Sequence, residues 1–238
     1  MPTAIVIDGA FFLRRFSRSF PDLDAKTPGD IALGLKLLAN WHLALRLGPD
    51  GLMHDPGGRP LPAIETAHLY RIFFYDCPPL TKRMHRPVSG TSIDLAKTPD
   101  AKFRLAVHKE LQNVRKVALR LGRLNDTSLW RLGASATQRF IGSRTAFTAR
   151  DEDFEIDIKQ KGVDMRLGLD VASMAFKRQV DQIVIVAADA DFVPAAKLAR
   201  REGIDVVLDR MGDQRAAKDL VEHVDGIRDC FLPHPAAR

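Results

Sequence analysis

An α/β fold is what the amino-acid sequence predicts: a central, mostly parallel sheet of about five strands with helices on both faces. Three observations carry it. Short apolar runs rich in β-branched or aromatic residues recur at 3–8 (TAIVID), 68–75 (HLYRIFFY), 183–188 (IVIVAA) and 205–208 (DVVL). Segments with apolar residues at helical spacing separate them. The first run finishes on aspartate, and aspartate directly follows the most apolar run. A strand apolar on both faces needs helices above and below its sheet, which is the parallel arrangement. With 238 residues, 45% of them hydrophobic, the chain can bury one sizeable core.

The elements follow in order. Residues 3–8 predict a buried strand. Thr27-Pro28 with Asp30 predicts a helix N-cap, an N1 proline and an acidic first turn, and Ile31, Leu35, Leu38 and Leu45 extend an apolar stripe to about residue 47. The Gly- and Pro-dense stretch 48–62 reads as a loop excursion. Residues 68–75 make a second strand, closed by Asp76-Cys77-Pro78-Pro79, and 80–97 read as an exposed loop. Thr98-Pro99 opens another helix, with Phe103, Val107, Leu111 and Val114 on one face. Residues 117–121 alternate as a third strand. Between 125 and 155 irregular strands and loops are expected. A helix opens near Asp164 with Val163, Leu167, Val171 and Met174 on its inner face. The strand 183–188 follows, then a helix from Val193 to Arg201, a break at Gly203, the strand 205–208 and a last helix from Arg215 to Val224. The expected organisation is one domain over 1–232, with excursions at 48–62 and 80–97 and a tail at 233–238.

Function is predicted from acids. Asp8 ends the first strand, and Asp189 and Asp191 end the strand 183–188. Ligands of parallel sheets bind beyond the carboxyl ends of the strands, where strand order reverses. If these two strands flank that point, three carboxylates share one crevice, and Asp164 opens a helix that can lean into it. Clustered aspartates repel one another, and a hard cation such as Mg²⁺ or Mn²⁺, which prefers carboxylate oxygens and water, relieves them. Such an ion activates water and neutralises charge on a phosphodiester. The competing reading is local: an aspartate after a strand also serves as an N-cap or Asx turn, and Asp191 ahead of Val193-Pro194 suits that role.

The stretch 159–209 resembles the NYN domain family of PIN-like metal-dependent ribonucleases. The matching features are Val163-Asp164 after a Lys-rich turn, Asp170 on the following helix, Asp189, Asp191-Phe192, Pro194 and Gly203. IVIDGA at the N-terminus is similar to the family's first strand, RIFFYDCPP at 71–79 to its second and VALRLGRL at 117–124 to its third. The resemblance implies a PIN-like, Rossmann-like three-layer α/β/α fold and a metal-dependent RNase site. Asp8, Asp164, Asp189 and Asp191 then become catalytic metal ligands, and Asp170 a supporting or structural residue. It also implies RNA as partner, single-stranded, and the pairing into homodimers that PIN-like domains often show. The sequence departs from the family where Asn often follows the first Asp; here Asp8-Gly9-Ala10-Phe11-Phe12 stands instead. Phe11 and Phe12 either pack in the core or stack on a base.

The remaining features set bounds. A net charge of +6 suits an anionic partner. Basic residues crowd 102–150, where only Glu110 and Asp126 oppose them. That density suits a phosphate-tracking groove, with Lys109, Arg115 and Lys116 as RNA contacts, or an ordinary solvated helix face. Lys159 and Lys161, just before Asp164, read either as phosphate contacts or as a flexible turn. The two cysteines, Cys77 and Cys230, form no disulfide framework or zinc knuckle, and the seven histidines show no ligand spacing. No apolar run approaches the roughly 20 residues needed to span a bilayer, and the N-terminus lacks a signal-peptide pattern, so a cytoplasmic protein is expected. Two rival functions remain: a PIN-like module that grips RNA without cutting it, and a phosphatase of the haloacid-dehalogenase type, suggested by Asp189-Ala190-Asp191 after a strand.

Overall fold

In strand β1 (Thr3–Asp8), Ala4, Ile5, Val6 and Ile7 are wholly buried, as a run apolar on both faces demands. The chain enters helix α1 (Gly9–Ser19) without a loop, and the last strand residue doubles as the helix cap: Asp8 accepts the Phe11 amide at 3.1 Å. Phe12 and Phe16 stand at helical spacing, but strand and helix abut with no loop between them, so the start of this helix is not marked in the sequence. Phe11, Phe12 and Phe16 are buried on it, which settles both phenylalanines as core. Gly9 permits the close approach. A Cβ there would sit 2.5 Å from the Phe74 ring and 2.8 Å from the Tyr75 carbonyl oxygen.

Helix α2 (Pro28–His42) begins at the expected Thr27 cap but ends at His42 rather than near 47, and Arg46–Leu47 (β2) pairs antiparallel with Met53–His54 (β3). The structure is a computed structural model that describes residues 2–43, 46–47, 53–54, 68–143 and 146–230, so most of the excursion at 48–62 and the tail at 233–238 lie outside the described residues. Strand β4 (Leu69–Asp76) follows. The stretch read as a loop at 80–97 contains a hairpin of β5 (Arg83–His85) and β6 (Ser92–Asp94). Helix α3 (Pro99–Gln112) and strand β7 (Val117–Leu121) stand as expected. Where irregular structure was expected, β8 (Arg123–Leu132), helix α4 (Ala134–Gly142) and β9 (Phe154–Lys161) form, with β8 and β9 an antiparallel ladder interrupted by a register shift between Asp126 and Trp130. The shift breaks the alternation by which a strand is read. The chain finishes with α5 (Val163–Phe176), β10 (Gln182–Val186), α6 (Val193–Arg201), β11 (Asp205–Asp209), α7 (Lys218–Glu222) and β12 (Gly226–Ile227).

The chain divides into two compact units. The first comprises Met1–Asp76, Ala106–Leu121 and Gly162–Arg238 and holds a six-stranded sheet in the order β12-β11-β10-β1-β4-β7. Every pairing in it is parallel. The expected count of five strands is exceeded by β12, two residues long and too short to leave a periodic signal. From β1 the order steps to β4 and β7 on one side, then returns to β10, β11 and β12 on the other. Strand order therefore reverses between β1 and β10. Ala4, Val6, Phe73, Tyr75, Ile183, Ile185, Val206 and Leu208 pack on one face against Leu167, Val171 and Met174 of α5, Ala195, Ala196 and Ala199 of α6 and Leu220 of α7. On the other face Phe74 meets Phe12 of α1 edge-on, their centroids 6.0 Å apart. Helices thus cover both faces, giving the three-layer α/β/α arrangement.

The second unit comprises Cys77–Leu105 and Gly122–Lys161; it takes in the 80–97 excursion together with the β8–β9 ladder. Within it the Trp130 indole donates to the His85 carbonyl at 2.9 Å, Asp151 accepts the Val88 and Ser89 amides at 3.0 and 3.2 Å, and Arg139 pairs with Asp153.

Candidate active site

The β1/β10 boundary gathers the predicted acids at one end of the sheet. Ile7 pairs with Val186, so Asp8 and the segment from Ala187 to Asp191 emerge side by side from the carboxyl ends of neighbouring strands. Helix α5 leads into the start of β10, so it runs back against the strands. Its second residue, Asp164, therefore begins at the same carboxyl end; the side chain of Asp164 lies outside the described residues.

Each carboxylate has its own surroundings. Asp8 is half-buried. Burial raises its pKa above the ordinary 3.8, against the Phe11 and Ala10 amides and Arg14, which favour the anion; the neighbouring Asp76 adds to the rise. Asp189 and Asp191 are exposed, and the Asp189 carboxylate accepts the Asp191 amide at 3.4 Å. Asp8 and Asp189 thus both make the local bonds of the capping reading. The three do not close into a tight cage. Among the described residues, the group of acids, histidines and cysteines whose ligand atoms all lie within 4.8 Å of one another is His42, Asp209 and Cys230.

Two features escaped the sequence. Asp76, read only as the end of a strand, is buried at the carboxyl end of β4 and meets the buried His108 of α3, Nε2 to Oδ2, at 2.7 Å. Arg14, exposed on the first helix, lies near enough to Asp8 to favour its charged form. Neither falls in a recognisable motif, since both depend on which strands become neighbours. Asp170 is a structural anchor: it accepts from the Tyr75 hydroxyl at 2.8 Å and from an Arg120 terminal nitrogen at 3.0 Å. The Arg120 Nε is 2.8 Å from the same carboxylate but without the alignment of a hydrogen bond. Burial and the Asp170 charge push the Tyr75 phenol far up, so it stays a donor.

Three of the basic residues expected to contact RNA stand away from the acids. Arg115 and Lys116 directly precede β7, and Lys109 lies in the last turn of α3, so all three sit at the amino end of the strands, opposite the acids. A strand of five to eight residues separates the two edges by roughly 17–26 Å. The Lys116 ammonium is moreover bonded to the Leu69 carbonyl, in a left-handed turn with φ of 65°. Density of charge along a sequence does not say which edge it reaches. The side chains of Lys159 and Lys161 lie outside the described residues.

A parallel sheet covered by helices, with carboxylates gathered where its strand order reverses, is the architecture of the PIN-like α/β/α proteins. The NYN domain model matches residues 106–229, just over half of the chain, and the chain belongs to the NYN domain family. NYN domains fall in the PIN-like nuclease superfamily, are generally nucleases and typically depend on a divalent metal. An uncharacterized protein of Methanocaldococcus jannaschii is 29% identical over 83 residues, 34% of this chain and 35% of that protein, so the chain spans about a third of the length of this relative. A solved structure of a protein of unknown function from Vibrio parahaemolyticus aligns over 96% of this chain and 91% of its own at 12% identity, with a TM-score of 0.42. Among the described residues no helix is long and apolar enough to cross a membrane.

Proposed function

We propose that the chain is an endoribonuclease dependent on Mg²⁺ or Mn²⁺, with Asp8, Asp164, Asp189 and Asp191 as its metal-binding and catalytic acids and single-stranded RNA as substrate. The observation that carries this reading is the position of Asp8 and the Asp189–Asp191 segment on the two sides of the strand-order reversal, in a family of nucleases. The donor set suits the ion. It offers carboxylate oxygens alone, and Mg²⁺ retains several waters, so carboxylates that stand apart can hold it partly through water. The raised pKa of Asp8 marks an anion whose burial is costly, which a cation offsets.

When bound, such an ion supplies charge that activates water and screens the phosphodiester. The protein supplies the rest. Asp8 is fixed by its Phe11 bond and by the rigid end of β1. Asp189 and Asp191 are held on a short turn between β10 and α6. Arg14, beside Asp8, is the cation we assign to the incoming phosphate. The family match leaves the phosphatase reading without support.

A second reading is binding without cleavage. It is favoured by buried Phe11 and Phe12 where the family often has Asn, and by carboxylates that do not close on one another. One assay separates the two. Labelled single-stranded RNA is incubated with purified protein and Mg²⁺, Mn²⁺ or EDTA. Cleavage with metal that Asp189→Asn and Asp8→Asn abolish supports the nuclease. Binding with no cleavage under any metal supports the module, and cleavage that survives both substitutions refutes the assigned site.

A further inference from the structure

The carboxyl edge of the sheet carries a second cluster of a different chemistry. His42 closes α2, Asp209 closes β11 and Cys230 follows β12, with sequence separations from His42 of 167 and 188 residues. Side chains of His42 and Asp209 are fully buried, and Cys230 is 2% exposed. The His42 Nε2 lies 2.8 Å from Asp209 Oδ2 and 3.1 Å from Cys230 Sγ. The other Asp209 oxygen, Oδ1, is occupied by the Met211 amide at 2.7 Å, which fixes the carboxylate and turns Oδ2 toward the other two.

The three contacts compete for the same few protons. If Nε2 carries the proton and donates to Asp209, and the thiol also donates to Asp209, the 3.1 Å contact between Nε2 and Sγ is left as a weak, bent N–H···S contact. If the thiol donates to a bare Nε2, that nitrogen's lone pair faces a carboxylate oxygen at 2.8 Å. An imidazolium between thiolate and carboxylate would make both contacts attractive. A dication set among the three donors would do the same without a proton between them.

We propose that His42, Asp209 and Cys230 form a binding site for Zn²⁺ or a similar borderline divalent transition metal. One nitrogen, one sulfur and one carboxylate oxygen are each established Zn²⁺ donors, whereas Mg²⁺ has little affinity for thiolate and imidazole. Binding displaces the thiol proton to solvent. The dication then balances one thiolate and one carboxylate, leaving the buried site with no net charge, and the fourth position falls to water. With metal–donor distances of about 2.0–2.3 Å, tetrahedral donors stand roughly 3.3–3.5 Å apart, so the cluster needs to open by only about half an ångström. The ion would tie the end of α2, the end of β11 and the segment after β12 to one point. This inference does not depend on the nuclease reading.

The test is Co²⁺ substitution in the full chain, followed by absorption spectroscopy. Wild-type protein, stripped with chelator and titrated with Co²⁺, is expected to bind about one equivalent with a thiolate-to-cobalt charge-transfer band. Zn²⁺ should bleach the band and excess Mg²⁺ should not. The band should persist in Cys77→Ala, which leaves Cys230 as the sole thiol, and vanish in Cys230→Ala. Should Cys230→Ala fail to fold, the wild-type and Cys77→Ala spectra decide the matter alone. No band in the folded wild type, or a band lost with Cys77, overturns the proposal.

Discussion

Replacing Gly9 by alanine tests whether the acidic edge of the sheet is built by close packing of α1 on β4. The added Cβ would stand 2.5 and 2.9 Å from two Phe74 ring carbons and 2.8 Å from the Tyr75 carbonyl oxygen. The ring is buried, and the oxygen belongs to a strand paired on both sides, Tyr75 facing Asp8 and Arg120, so neither can yield without moving the sheet. Overpacking of this kind costs about 1–3 kcal/mol. Alanine recovers at most about 1 kcal/mol of helix propensity, and less in a first turn. The balance is a loss of about 1–2 kcal/mol, or roughly 2–8 °C in Tm for a unit of this size. The assay is thermal and urea unfolding followed by Trp41 fluorescence in a Trp130→Phe background, since Trp130 belongs to the other unit and its indole bonds there to His85. A Gly9→Ala midpoint equal to or above that of the parent would refute the packing argument.

Other outcomes follow from the same contacts. Burial holds the Asp8 pKa above 3.8, so the unfolded chain ionises this group first and the fold loses stability as pH rises beyond 3.8. Asparagine caps as well and carries no charge. In EDTA at neutral pH, Asp8→Asn should therefore unfold at higher denaturant than wild type, with the gain shrinking as pH falls toward 3.8; a constant difference across that range would show that burial is not the cause. Tyr75→Phe deletes the hydroxyl that donates to Asp170 but leaves Arg120 on the same carboxylate, so a loss of about 1 kcal/mol is expected by urea unfolding. His108→Leu removes a buried partner of Asp76; it should cost about 1–3 kcal/mol, and no loss would mean that the pair is dispensable to the fold.

How far the sequence could be read depended on whether a signal was local. Strands β1, β4, β10 and β11 and helix α6 were legible because each is a short apolar or strictly periodic run bounded by Asp, Gly or Pro. The family motif over 159–209 was legible for the same reason. Helix α1 was hidden because Asp8 is both the end of a strand and the cap of a helix, leaving no loop to punctuate them. The β8–β9 ladder was hidden by its register shift. The acids at Asp8 and Asp189–Asp191 could be assigned to one edge once parallel topology was assumed. Their spacing there, the Asp76–His108 pair and the contribution of Arg14 are tertiary facts with no sequence signature. The trio of His42, Asp209 and Cys230 is the clearest case, since no ligand spacing survives separations of 167 and 188 residues. Arg115 and Lys116 show the converse: a dense basic stretch is visible at once, but only the direction of β7 reveals that these two residues stand at the edge opposite the acids.

The central claim is that a hard divalent cation is held at the boundary between β1 and β10. A crystal grown with Mn²⁺ and read by its anomalous scattering tests this most directly. The account predicts a peak within coordinating reach of Asp8 and the Asp189–Asp191 turn, with Asp164 beside it. Density absent from that edge at saturating Mn²⁺, or confined to His42, Asp209 and Cys230, would contradict it.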